Sequence, residues 1–244
     1  MTSSARARGQ IVEAPTLEAS LDVVSRAVRY HDWLAGELGP YLRAPVLEIG
    51  SGLGTLAFAL ARWQTPILAS EPDPAMAARL QARCEISNEV TAVPGILLPD
   101  VGYQPDPAPR TVVLSNVLEH IENDTAALEA IAANLPTVQH LVLVVPAHQW
   151  AFAPLDHQLG HYRRYAREQL GEVIEKAGWQ PSRIRYFNPL GVIAWAASGH
   201  LFGRSTISDW QTSVVERIVP LLRAADRLAS GRLVGQSLIA ISSR

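Results

Sequence analysis

Val46-Leu47-Glu48-Ile49-Gly50-Ser51-Gly52-Leu53-Gly54 is the stretch on which the fold turns. Pro45 introduces four residues that read as a short buried strand. Three glycines at alternate positions follow, and Thr55 to Arg62 returns to helical spacing. Glycines let such a turn adopt positive φ and let backbone come close to a ligand, and the helix start adds free N–H groups. Glu71 stands 21 residues beyond Gly50, at the end of the next apolar run, Ile67 to Ser70. A carboxylate there can accept both hydroxyls of a ribose. Together the turn and the acid point to a nucleoside-containing cofactor. A P-loop is excluded, because no Gly-Lys-Ser/Thr follows the glycines.

Outward from this turn, strand and helix patterns alternate. Leu21, Val24, Ala27, Val28, Trp33 and Leu34 suit a helix over 17–38, stopped by Gly39-Pro40. Asp73-Pro74 reads as an N-cap and first helical position of a helix to about Cys84. Val90–Val93 and Thr111–Ser115 are the third and fourth strands, and Asp124 is expected to cap a helix to about Asn134. Leu141–Val145 is the fifth strand, Arg167–Ala177 a helix closed by Gly178, and strands are expected near Arg183–Phe187 and Ser237–Ser242. This alternation predicts an α/β fold, a doubly wound, mostly parallel, seven-stranded sheet with helices on both faces. In such sheets ligands sit past the carboxyl ends of the strands, at the switch point. Residues 1–16 read as a flexible tail and 17–244 as a single domain. Helix 17–38 and an insertion over 189–230 are expected to form a lid or pocket wall.

Composition narrows the classes. A net charge of -2 gives no overall field for nucleic acid, so no nucleic-acid partner is expected. The single cysteine, Cys84, has no partner for a disulfide and no companions for a thiolate metal site. Arg6 and Arg8 are not followed by an apolar h-region, which argues against a secretory signal and for a cytoplasmic location. No run of 18 apolar residues is present, so no transmembrane segment is expected.

Two cofactor classes remain. Gly52-Leu53-Gly54-Thr55-Leu56-Ala57 passes as a loose dinucleotide fingerprint. Glu48 opposes that reading: an acid two residues before the first glycine sits badly near a pyrophosphate and well near a cationic ammonium and sulfonium. These residues resemble the class I S-adenosylmethionine-dependent methyltransferases, which have a Rossmann-like sheet. Glu48-x-Gly50-x-Gly52-x-Gly54 matches that family's first motif and Glu71 its ribose-binding acid. Ser115-Asn116-Val117-Leu118-Glu119-His120-Ile121 is similar to its segment after the fourth strand. Leu155-Asp156 through Leu159-Gly160-His161-Tyr162-Arg163-Arg164-Tyr165 is similar to a block found after the fifth strand in many bacterial members. The resemblance implies S-adenosyl-L-methionine as cofactor, held by Tyr30, Glu48, Gly50, Ser51, Gly52, Gly54, Glu71, Pro72, Asn116 and Val117. Two departures stand out. Gly95-Ile96 replaces the frequent Gly-Asp after the third strand, so adenine recognition there must rely on backbone or apolar contact. Asn116 takes the place of the first of the acids that hold a divalent metal in ubiquinone-pathway relatives, so no metal is expected.

The expected function is transfer of a methyl group to an O or N atom of a small, hydrophobic acceptor of secondary metabolism. An NAD-dependent reductase and a non-catalytic cofactor-binding module are the alternatives. The only lysine, Lys176, has Glu172 four residues earlier, so the Tyr-x-x-x-Lys pair of one common reductase class is absent. A base is needed only for a hydroxyl or protonated amine. His120, His148 and His161 are the candidates, each also readable as a structural histidine. Trp150, Tyr162, Arg163 and Trp195 are the candidate acceptor-binding residues. The cluster Arg163, Arg164 and Arg167 suits an anion or, equally, pairing with Asp156 and Glu168. The apolar stretch around Trp195 closes over the acceptor or forms the face of a homodimer.

Overall fold

A computed structural model describes residues 25–96, 103–196, 209–229, 231–232 and 234–244. Seven strands form one sheet: β1 (Val46–Ile49), β2 (Ile67–Ser70), β3 (Val90–Val93), β4 (Thr111–Ser115), β5 (His140–Pro146), β6 (Gln180–Phe187) and β7 (Ser237–Ser243). Their order is β3-β2-β1-β4-β5-β7-β6. β3, β2, β1, β4 and β5 pair in parallel, and β7 runs antiparallel to both β5 and β6. The order reverses between β1 and β4, the doubly wound arrangement expected. The helices are α1 (Val28–Leu38), α2 (Thr55–Leu60), α3 (Pro74–Ser87), α4 (Asp124–Asn134), α5 (Pro154–Gln158), α6 (Arg167–Lys176), α7 (Pro189–Ala196) and α8 (Asp209–Ala229).

Strand alternation divides the core in two. Leu47, Ile49, Val112 and Leu114 face α4 and α6 through Ala127, Leu128, Ile131, Leu170 and Ile174. Val46, Ile67, Val113 and Val142 face the other way, against Trp33 and Leu38 of α1, Leu60 of α2, Leu80 of α3 and Leu222 of α8. Both faces of the central strands are therefore dry. That is why these strands are continuous apolar runs rather than alternating ones, and why their polar chemistry is confined to their ends.

Two expectations are modified. The 189–230 insertion contains α8, whose Val219 and Leu222 are buried in the second core. It is a layer of the fold and not only a lid. α8 also completes α1. Ala27, at the start of α1, has no side-chain acceptor, and Glu216 of α8 takes the N–H groups of Arg29 and Tyr30 at 3.0 and 3.1 Å. This satisfies donors a helix start leaves bare. The N-cap of α4 is Asn123, which accepts the Ala126 N–H, while Asp124, one residue on, accepts the Thr125 N–H at 2.8 Å through Oδ1. Asp124 is turned to Arg163 and to the Tyr165 hydroxyl, at 2.7 and 2.9 Å. Asp73, by contrast, caps α3 as expected, accepting from Ala75 and Met76. Residues 17–24 of the expected first helix lie outside the described residues.

Candidate active site

Past β1, Gly50, Gly52 and Gly54 have φ of +72°, +55° and +77°, left-handed values at which a side chain is strained. A Cβ on Gly50 would stand 2.5 Å from Val117 Cγ2, and one on Gly54 2.6 Å from Leu80 Cδ1. These two glycines let the turn close against the exit of β4 and against α3. At Gly52 nothing lies within 4 Å of a Cβ position, so this residue turns its bare backbone toward open space. The turn is braced from behind: Ser51 Oγ donates to the Glu48 carbonyl at 3.1 Å, and Arg83 of α3 donates to the Leu53 carbonyl.

Glu71 leaves β2 directly beside this turn. Its two carboxylate oxygens accept the Gly52 N–H at 2.7 Å and the Asp73 N–H at 2.9 Å, which fixes the carboxylate while leaving further lone pairs. Gly95, two residues past β3, presses on it: a Cβ there would lie 2.0 Å from the Glu71 carbonyl oxygen and 3.2 Å from Pro72 Cα. Ser70 ties the same corner, donating to Pro94 O and accepting from Ile96 N–H. The wall beside Glu71 and Pro72 is thus backbone and apolar side chain, in line with Gly95-Ile96 replacing an acid.

Glu48 is the electrostatic anomaly of this half. It is 2% exposed, its Oε2 has no partner, and burial, with the nearby Glu71 charge adding to it, pushes its carboxyl up to about 8. A desolvated carboxylate is costly unless a proton or a cation meets it. An open glycine backbone, a fixed ribose-type acid and an unsatisfied buried acid together fit a ligand that carries both a nucleoside and a positive charge.

The second half forms where β4 ends. Asn116 turns the chain with φ +53°, and Val117 packs under Gly50. Leu118–His120 is a single 3-10 turn. The 156–165 block closes on it, with Tyr162 N–H donating to the Glu119 carbonyl at 2.8 Å. His161 Nδ1 lies 2.7 Å from Asp156 Oδ1, and Asp156 is itself fixed by Arg164, by two hydrogen bonds from Nε at 3.0 Å and an ion pair from Nη2 at 2.9 Å. The other ring nitrogen of His161 lies 4.0 Å from Glu119 Oε1. Glu119 is fully buried, neither carboxylate oxygen has a partner, and burial pushes its carboxyl up to about 8. His120 meets His161 edge-on at 4.6 Å, and burial, helped by His161, pushes it down to about 4. His120 is therefore neutral at pH 7 and weakly basic. Glu119, His120 and His161 offer ligand atoms within 4.8 Å of one another, a set from which a cation could draw three donors.

Of the three candidate histidines, the structure brings His120 and His161 together and sets His148 apart. His148, at φ +66°, stacks on Tyr186 at 4.8 Å and 8° and leans on Trp150 at 5.3 Å. Trp150 and Tyr162 are exposed at 58% and 55%, available to an acceptor but not enclosing one. Arg163 is committed elsewhere: its guanidinium holds Asp124 and the Glu122 carbonyl, so it fastens the block to the start of α4. Arg164, not Arg163, takes Asp156. Tyr30 lies on α1. Its ring packs against Trp33 and Phe187 at 5.9 Å each, toward the β6 end of the molecule. The chain just before α1 touches the glycine turn instead, through Thr55 Oγ1 and the Ser25 carbonyl at 3.4 Å. Trp195 lies in α7, and its side chain is outside the described residues. Sequence reasoning missed the full burial of Glu119 beside His161 and the pairing of Asp156 with His161. The five-residue separation of Asp156 and His161 was the only local signal for that pair.

With this geometry established, comparison with known proteins gives the family. A methyltransferase domain model matches residues 25–183, more than half of the chain. The chain belongs to that methyltransferase family. No curated protein matches it by sequence. Solved structures share its fold. Magnesium protoporphyrin IX methyltransferase from Synechocystis PCC 6803, with bound SAH, has 15% identity and a TM-score of 0.55, over 91% of this chain and 84% of that one. The methyltransferase of a Haloferax volcanii complex with the activator Trm112 has 14% identity and a TM-score of 0.59, over 93% and 97%. The glycopeptide N-methyltransferase MtfA, complexed with S-adenosyl-L-methionine, has 14% identity and a TM-score of 0.54, over 86% of each chain. Among the described residues no helix is long and apolar enough to cross a membrane.

Proposed function

We propose that this methyltransferase moves a methyl group from S-adenosyl-L-methionine to an oxygen or nitrogen atom of a small, largely hydrophobic metabolite. The observation that carries the donor is the open space beside Gly52, where nothing lies within 4 Å of a Cβ position, together with the buried Glu48, whose Oε2 has no partner. The glycine turn takes the carboxypropyl arm, Glu71 the ribose hydroxyls, and Glu48 favours the cationic end of the molecule. The two solved relatives that hold SAH or S-adenosyl-L-methionine support this choice.

The sulfonium supplies an already activated methyl carbon, so the chain's own work is alignment, worth roughly 7–11 kcal/mol when two reactants are held in line. The acceptor proton remains. With its Nδ1–H given to Asp156, His161 presents Nε2 toward Glu119, whose raised pKa places it near neutrality, where a general base works best. In this reading the ionised Glu119 carboxylate takes the acceptor proton, His161 stands 4.0 Å from it, oriented by Asp156, and His120 lines the path. The reaction runs without a metal ion, and exposed Trp150 and Tyr162 meet an acceptor with apolar character. The test is incubation of the purified chain with labelled S-adenosyl-L-methionine and fractionated small-molecule extracts, with and without EDTA. Label in a chelator-insensitive small product is expected. Label confined to protein, or activity that EDTA abolishes and magnesium restores, overturns the acceptor class or the metal-free step respectively.

A further inference from the structure

A cavity of about 500 Å³ lies at the outer edge of the sheet, lined by Glu37, Arg167, Arg183, Ile184, Arg185, Asp226, Arg227, Gly231 and Arg232. β6, its inner wall, is four strand spacings from β1, or ~19 Å, so this is not the glycine crevice. Five guanidiniums meet two carboxylates there. Both carboxylates belong to one arginine: Arg185 pairs with Glu37 at 2.5 Å and with Asp226 at 3.1 Å. The other four have no carboxylate partner among the described residues. Arg183 reaches only the Tyr41 hydroxyl. Arg167 donates from Nη2 to the Gly231 carbonyl at 2.9 Å, while its Nε is buried without a partner. Arg227 and Arg232 are exposed.

Charged residues on an edge strand such as β6 discourage pairing with other chains, and Arg183 serves that purpose. Edge protection does not explain why Arg167 from α6, Arg227 from α8 and Arg232 from the following loop converge on the same space. In a chain of net charge -2, bringing like charges together costs free energy that an anion would recover. A guanidinium fork matches the geometry of phosphate and carboxylate, and Arg is favoured wherever bidentate contact with an oxyanion is made.

We propose that this cavity is a binding site for the phosphate or pyrophosphate group of a small molecule, separate from the cofactor crevice. Its volume falls within the range of small-ligand pockets. Arg167, Arg227 and Arg232 take the oxyanion, and the Glu37–Arg185–Asp226 set forms the rigid floor. The site communicates with the acceptor side: Arg167 lies over the Tyr186 ring at 5.2 Å, and Tyr186 stacks on His148. An occupant that draws Arg167 toward itself pulls on the residue against which His148 rests.

The test is calorimetric titration of the full chain with inorganic pyrophosphate at fixed ionic strength, for the wild type and Arg227→Ala/Arg232→Ala, with S-adenosyl-L-methionine titrated in parallel. The expected result is saturable pyrophosphate binding that weakens at least about tenfold in the variant, the scale of losing one charge-assisted hydrogen bond. The affinity for S-adenosyl-L-methionine should stay within about twofold, which also reports that the variant is folded. A wild-type response no larger than that to sodium chloride, or binding that the variant retains in full, overturns the site. Sedimentation with vesicles containing an anionic phospholipid separates the sources. Vesicle binding without pyrophosphate binding means a lipid headgroup surface and also overturns the proposal as stated.

Discussion

The glycine turn past β1 and the histidine cluster past β4 stand side by side, yet they are built by opposite means. The first is made of main chain. Gly50, Gly52 and Gly54 supply conformations, Glu71 fixes the turn by two backbone N–H groups, and only Glu48 contributes a buried, unpartnered oxygen. All of it comes from residues 48–73. The second is made of side chains from three places: Glu119 and His120 after β4, Asp156 from α5, and His161 with Arg164 beyond it. A backbone site tolerates little change in shape but binds through many small terms. A side-chain relay can lose its chemistry through one atom while its shape survives.

The largest effect should therefore come from the relay. His161→Ala removes the group between Asp156 and Glu119, and Glu119→Gln keeps its volume while removing the carboxylate. Either should lower kcat about 10²–10⁴-fold, the usual worth of general acid–base catalysis, with S-adenosyl-L-methionine affinity by titration unchanged. If both variants keep the wild-type kcat, the cluster is structural and the two halves differ less than supposed.

Glu71→Ala sits next in size. Losing an acceptor for ribose hydroxyls should cost roughly 1.5–3 kcal/mol, or about a 10- to 150-fold rise in Kd. The structure adds a second consequence, because the Gly52 and Asp73 N–H groups lose their acceptor as well. Glu71→Gln separates these. It keeps one oxygen for a backbone N–H, and its Kd should fall between the other two. Equal Kd for all three would reduce Glu71 to a solvated end-of-strand charge.

The same contrast explains what could be read in advance. The glycine turn was legible because its physics is local: strand, positive-φ residues, helix start and acid lie in order along the chain. The strands were legible for the same reason, each being an uninterrupted apolar run, and only their ends shifted, as with His140 and Pro146 flanking Leu141–Val145. The relay was half legible. His120 and His161 declared themselves as residue types, but Glu119 looks like any helix-start acid until its burial is known, and Asp156 matters only once Arg164 folds onto it. Asn123 holds the cap expected of Asp124, whose Oδ2 goes to Arg163 and Tyr165, about forty residues on, while its Oδ1 keeps the Thr125 N–H. α8 escaped notice because its core contacts, with α1 and β6, are long-range: Glu216 lies 187 residues from the Arg29 N–H it accepts.

The smallest effect, and the most diagnostic of the backbone half, concerns Glu48. Its folded-state carboxyl is raised to about 8 from the ordinary 4.5, so between those values the folded chain holds a proton that the unfolded chain releases. Stability is then lost as pH rises through that window and levels off above it. Glu48→Gln keeps the shape and removes the titration. Without cofactor, its Tm should match the wild type near pH 5 and exceed it by a few degrees at pH 9, on the scale of about 4 °C or less per kcal/mol for a chain of this size. The cofactor reverses the ranking. A cation arriving beside Glu48 favours the ionised form, so wild-type binding at pH 7 should release a proton, visible as a binding enthalpy that depends on the ionisation enthalpy of the buffer. The Gln variant should bind more weakly and show no buffer dependence. A wild-type enthalpy independent of buffer would mean that Glu48 is already ionised, or that it never meets the cationic end of the donor. The unpartnered oxygen would then be a cost of the fold rather than part of cofactor selection.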